Sequence, residues 1–170
     1  LGNHFALLRD AFTAAYERRD PADMRRRKAE MMALLDDLDR LLACHPTFSL
    51  SRWIEAARAV GTSGAESDYY ERNILTTWGD RDQSLNDYAN RTWAGLVAAY
   101  YKPRWELFCD AVLEAVESGA PFDEAAFTER CRDFEWAWVN STDKSGLNAG
   151  RSAAKPVAGM LYAKYKSQIE

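Results

Sequence analysis

Apolar residues recur at three- and four-residue intervals along almost the whole chain, and that period predicts a succession of amphipathic helices. Phe5, Leu8, Phe12 and Ala15 share a face in a first helix that ends before Asp20-Pro21. That pair reads as the start of a second helix: the aspartate caps free amides, and proline sits where no donor is missed. The second helix, roughly 21 to 44, carries Met24, Met31, Leu34, Leu35, Leu38, Leu41 and Leu42 on one side, and His45-Pro46 ends it. A short helix capped by Ser49 or Ser51 follows, with Trp53, Ile54, Ala57 and Val60, and closes at Gly61. Another runs from about Ser63 through Tyr69, Tyr70, Ile74 and Leu75 to a break at Trp78-Gly79.

The pattern resumes as a helix near Leu85, with Tyr88, Trp93, Leu96, Val97, Tyr100 and Tyr101. Pro103 then kinks that helix or begins the next, because it removes a donor and clashes with the preceding turn. Trp105, Leu107, Phe108, Val112, Leu113 and Val116 lead to Gly119, and Asp123 opens a further helix with Phe127, Cys131, Phe134 and Trp138. Residues 140–150 read as a flexible polar linker. A last helix carries Val157, Met160, Leu161, Tyr162 and Tyr165. No stretch alternates with period two, so the expected fold is all-α, a single domain built as a bundle of about seven to eight helices.

Composition narrows the function. The chain has 170 residues, enough to bury a real core. Its net charge is −4, with sixteen arginines and six lysines, and the run Arg25-Arg26-Arg27-Lys28 is one solvated helix turn. There is no basic field for nucleic acid. No apolar run approaches the roughly eighteen residues of a membrane span, and no signal-peptide pattern opens the chain. The chain begins LGNHFALLRDAF, already amphipathic and without an initiator methionine, as a processed or cut piece would. Cys44, Cys109 and Cys131 show no CxxC spacing and read as free thiols among apolar neighbours, or as one disulfide pair the sequence does not choose. His4 and His45 have no partners at zinc spacing, so neither a metal nor another cofactor is expected.

The break at residues 75–93, LTTWGDRDQSLNDYANRTW, holds the candidate chemistry. Asp80, Asp82, Ser84 and Asp87 resemble the start of a calcium loop, but its sixth and twelfth positions hold Leu85 and Arg91 instead of the required Gly and Glu. Asp80 or Asp82 can instead satisfy loop amides, with Ser84 or Asn86 capping the next helix. Trp78 has two readings. It is a core tryptophan, or, with Tyr88 in the first turn of the following helix and Asn86 and Asp87 nearby, it forms one wall of a sugar-binding recess. No acid–base pair stands out, and Glu71 is the one carboxylate near the loop to follow. The sequons at Asn90 and Asn140 matter only in a secretory setting; Asn140, at a helix end, is the better acceptor.

The run of residues 75–108, with Leu75, Trp78-Gly79, Asp87-Tyr88-Ala89-Asn90, Ala94-Gly95-Leu96-Val97 and Tyr100-Tyr101-Lys102-Pro103-Arg104-Trp105, resembles the carboxy-terminal helical domain of the α-N-acetylglucosaminidases of glycoside hydrolase family 89. Weaker similarity covers the Trp53–Arg58 helix and Gly119-Ala120-Pro121-Phe122. The loop is slightly longer than the family's and lacks its proline and glycine. The resemblance implies that residues 1–170 are the carboxy-terminal domain of a larger retaining, exo-acting glycosidase. Its two catalytic glutamates would lie on an upstream barrel, leaving this part inactive alone. It also implies that Trp78, Leu85 and Tyr88 contact a terminal α-linked N-acetylglucosamine, and that the parent enzyme is lysosomal, periplasmic or secreted. The barrel would cover an apolar face that leaves the isolated part prone to self-association. The alternative is a helical protein-interaction module without carbohydrate chemistry, its exposed aromatics anchoring a partner.

Overall fold

The structure, a computed structural model, describes residues 1–75, 77–78, 81, 86–87, 91–141, 144, 147 and 153–169; of residues 77, 78, 86, 87 and 169 it describes the backbone alone. Seven α-helices are present among these residues: α1 (Gly2–Glu17), α2 (Pro21–Leu42), α3 (Leu50–Arg58), α4 (Gly64–Ile74), α5 (Lys102–Ser118), α6 (Glu124–Asn140) and α7 (Ala154–Ile169). A 3-10 turn at Pro46–Phe48 follows α2, and a π-helical turn at Val97–Tyr101 leads into α5. The fold is all-α, as the periodicity predicts. Among the described residues, extended pairing is limited to two residues each of β1 (Thr77–Trp78) and β2 (Asn86–Asp87), which are antiparallel, and one parallel bridge between Ser49 and Ala94.

Local signals set several boundaries. Asp20 caps α2, its carboxylate accepting from the Asp23 amide at 3.0 Å with Pro21 behind it. Ser63 and Asp123 cap α4 and α6 in the same way, accepting from the Glu66 and Ala126 amides. Gly119 ends α5 in the left-handed conformation, φ +69°, that glycine alone adopts without a Cβ penalty. Ser49 occupies the N-cap position of α3, but its hydroxyl pairs with that of Ser51 and caps no amide.

Two clusters of buried side chains form the core. The first packs α1, α2, α5 and α7 through Leu8, Phe12, Met24, Met31, Val112 and Leu161, among others. The second gathers Leu50, Ile54, Leu75, Leu96, Tyr100, Val139 and Leu147. The π-turn lies between them: Val97 enters the first, Leu96 and Tyr100 the second, and Tyr101 packs on both. Pro103 accounts for this turn. It has no N–H to continue an α ladder and would crowd the carbonyl four residues back, so the helix widens and the Lys102 amide reaches the Val97 carbonyl, five residues back.

Two expectations are corrected, and of the two readings of the cysteines the free thiols hold. The helix expected to resume near Leu85 begins at Leu96: Asn86 and Asp87 are extended and paired with β1, so Asn86 is no helix cap, and residues 91–93 are irregular. The Asp39 carboxylate, on α2, takes the Gly95 amide at 2.7 Å and the Ala98 amide at 3.1 Å, and so fixes the helix start. The expected flexible linker is pinned where it is described: Lys144 is buried and ion-paired, and Leu147 is buried against Gly95. No disulfide joins the cysteines; all three are free, and burial pushes the Cys109 thiol up to about 12.

Candidate functional site

The chain leaves the bundle at the end of α4 and returns beside its point of departure. Leu75 turns extended and is buried in the second core cluster, which stops α4 at Ile74. On the return, the Arg91 guanidinium donates to the Ile74 carbonyl across seventeen residues of sequence and closes the neck. Within the neck, Thr77 lies opposite Asp87 and Trp78 opposite Asn86. After Arg91 the chain runs beside the start of α3, with the Ala94 amide donating to the Phe48 carbonyl at 2.6 Å and the Leu50 amide to the Ala94 carbonyl at 3.0 Å. Gly95 follows at φ +87°, where Leu50 and Leu147 leave little room for a side chain. Burial pushes the Asp39 carboxyl up, opposed by the two amides it accepts from. The exit of the loop is therefore held by α2, α3 and α4 together.

Cations and indoles surround this neck. Arg81 reaches from the loop to α6, its Nε donating to Asp133 at 2.8 Å and its Nη2 to Glu129 at 3.0 Å. Arg72 of α4 lies over Trp136, 5.1 Å from the ring centroid. Trp93 stacks on Trp53 at 5.4 Å and 13°, and Arg91 sits 5.2 Å from the Trp93 ring. The Trp53 indole N–H is satisfied by the Thr47 carbonyl.

Of the residues singled out from sequence, Trp78 lies in β1, directly opposite Asn86. Leu85 and Tyr88 fall outside the described residues, as do Asp80, Asp82, Ser84 and Asn90; in sequence Leu85 and Tyr88 flank β2 on either side. Glu71 is buried and paired with Arg58 at 2.6 Å and Lys144 at 3.0 Å. Lys144 also donates to the Ser141 carbonyl and lies over Trp138. That arrangement is an anchor: it ties the segment after α6 to α4, and removing one partner of so buried a pair costs about 3–5 kcal/mol. The other buried glutamate, Glu135, is held 2.7 Å from Arg104. Neither is placed as an acid–base couple. A separate recess of about 600 Å³ opens between α1, α5 and α6, walled by Trp105, Phe108 and Phe127. It uses a different face of α6, that of Thr128, Cys131 and Glu135. Sequence reasoning missed Asp39, Arg81 and Arg91, whose partners lie 17 to 59 residues away.

Residues 1–163 match the family described as the α-N-acetylglucosaminidase (NAGLU) C-terminal domain. The chain belongs to this family. Among relatives of the α-N-acetylglucosaminidase C-terminal domain, the human α-N-acetylglucosaminidase is 45% identical over 114 residues, which are 65% of this chain and 15% of that protein. A family 89 glycoside hydrolase from Clostridium perfringens, solved with 2-acetamido-1,2-dideoxynojirmycin, superposes with a TM-score of 0.77 at 26% identity, covering 96% of this chain and 20% of that one. A Clostridium perfringens structure solved with its substrate GlcNAc-α-1,4-galactose gives a TM-score of 0.79 at 24% identity, covering 99% and 20%, and shares the fold. The chain thus spans about a fifth or less of the relatives it matches.

Proposed function

We propose that this domain forms one wall of the terminal N-acetylglucosamine pocket in an exo-acting, retaining α-N-acetylglucosaminidase, packed beside a catalytic barrel of the same polypeptide and inactive alone. The observation that carries the reading is the excursion between α4 and the π-turn. Its neck is closed by Arg91 and the β1–β2 pairing, and it holds Trp78 at its mouth within the stretch that carries the family's motif. Trp78, Leu85 and Tyr88 are the proposed contacts: an indole offers its face to the C–H side of a pyranose ring, an aliphatic chain fills beside it, and a phenol fixes a hydroxyl. Such a wall adds no acid or base. It orients the sugar and excludes water from the reacting centre, which is where binding energy assists chemistry held on another domain. Family 89 glycoside hydrolases from Clostridium perfringens solved with 2-acetamido-1,2-dideoxynojirmycin and with PUGNAc support this reading, which also puts the parent enzyme in a lysosome or outside the cytoplasm.

The test is Trp78→Ala in the full-length enzyme. Loss of one stacking face is expected to lower kcat/KM on an aryl α-N-acetylglucosaminide by about tenfold or more, about 1.4 kcal/mol of transition-state binding, with helical circular dichroism and Tm unchanged. If the domain unfolds instead, Trp78 is a core residue and the wall reading is wrong.

A further inference from the structure

Seven residues separate Trp78 from Asn86. A two-residue strand pairing is marginal in water by itself, so β1 gains from a second tie to the bundle. Arg81 supplies one. Its guanidinium meets Asp133 through both Nε, at 2.8 Å, and Nη2, at 2.6 Å, and reaches Glu129 at 3.0 Å. Glu129, Asp133 and Trp136 stand at i, i+4 and i+7, one face of α6. That face receives Arg81 from the loop and Arg72 from α4, and Arg132 shares Glu129 at 2.8 Å.

Magnitudes separate two roles for this cluster. Glu129 and Asp133 are each about half or more exposed, at 51% and 66%, and ion pairs in that setting add little to global stability. The α6 helix is already secured by its Asp123 cap and by Val139 in the core. Geometry is what the fork contributes: a guanidinium bonded in two directions fixes its own orientation and the path of the backbone that carries it.

We propose that Arg81 is a positioning residue for substrate binding, tied to α6 through Asp133 and Glu129 three residues after Trp78, and so fixing the end of β1 that carries this wall residue. This rests on the wall reading above. Without this tie the end of β1 that carries Trp78 loses its hold on α6, and the sugar must order it on binding. That cost falls on KM, while the reacting groups elsewhere keep kcat.

The experiment compares four variants of the full-length enzyme on an uncharged aryl α-N-acetylglucosaminide: Trp78→Ala, Arg81→Ala, Glu129→Gln with Asp133→Asn, and the last two sets combined. Arg81→Ala is expected to raise KM about five- to tenfold with kcat within about twofold and Tm within about 2 °C. The acid pair variant should reproduce that rise, and the combined variant should be no worse than either, because both break one contact. An unchanged KM in Arg81→Ala, alongside a raised KM in Trp78→Ala, overturns the clamp and leaves the wall. A rise in Arg81→Ala that the acid pair variant does not share overturns it too, since Arg81 would then act directly. If Trp78→Ala leaves KM unchanged, the wall fails and the clamp with it.

Discussion

At the scale of single residues, two glycines with left-handed backbone allow a controlled comparison. Gly119 has φ +69° and open space where a Cβ would project, whereas Gly95 has φ +87° with the Leu147 and Leu50 Cβ atoms 3.3 and 3.5 Å from that point. Alanine at either position must bear the left-handed penalty of about 1–2 kcal/mol. At Gly95 it must also push apart two buried leucines, which adds about 1 kcal/mol or more. Gly95→Ala should therefore lower Tm clearly further than Gly119→Ala, with about 2–4 °C per kcal/mol for a chain of this size. Thermal melts of the two variants check this; equal shifts would show that the contact with Leu147 adds nothing. The Gly95 requirement also marks what sequence reading lacked. Ala94-Gly95-Leu96-Val97 looks like helix interior by composition, and only the Asp39 carboxylate, 56 residues earlier, shows that the helix starts there.

At the scale of elements, legibility follows the range of the interaction. Helix starts at Asp20, Ser63 and Asp123 and the end at Gly119 were readable because cap and amide lie within three residues. Within the expected linker, polar composition hides the burial of the Lys144 side chain against Glu71, 73 residues away. Around the candidate site, the contacts of Arg81 with α6 and of Arg91 with Ile74 were invisible for the same reason. The docking of α7 is another long-range contact, and it carries a pH dependence. The Asp37 carboxylate accepts from Lys164 at 2.5 Å and Tyr165 at 2.6 Å. Burial works against its charge, but these two donors outweigh burial and hold its pKa below the ordinary value. A lowered carboxylate pKa gives stability that is present above the unfolded-state value and lost as pH falls through the folded one. Protection factors of α7 amides, taken relative to the intrinsic exchange rate at each pH, should fall as pH drops below about 4, and Asp37→Asn should flatten that change while loosening α7 at neutral pH. Protection that stays constant through that range in the wild type would remove Asp37 as the α7 latch.

At the scale of the molecule, the two core clusters are joined through one irregular turn. Tyr101 packs on both, Val97 enters one, and Leu96 and Tyr100 enter the other, all within the π-turn and its first neighbour. Because a π-turn commits five consecutive residues to one path, loosening either cluster withdraws support from the other, and the domain should unfold as a unit. Leu50 sits in the second cluster with no exposed surface. Leu50→Ala deletes a fully buried isobutyl group and is expected to cost about 2–5 kcal/mol. The cost should appear equally on both sides of the π-turn: exchange-protected amides of α2, in the first cluster, should lose as much protection as those of α6. Protection lost in α6 alone would mean that the clusters open separately. The chain leaves α4 for the neck from the second cluster, through Leu75. In that event the return at Gly95 would still be tied to the first cluster through Asp39 of α2, as well as to α3 and α4.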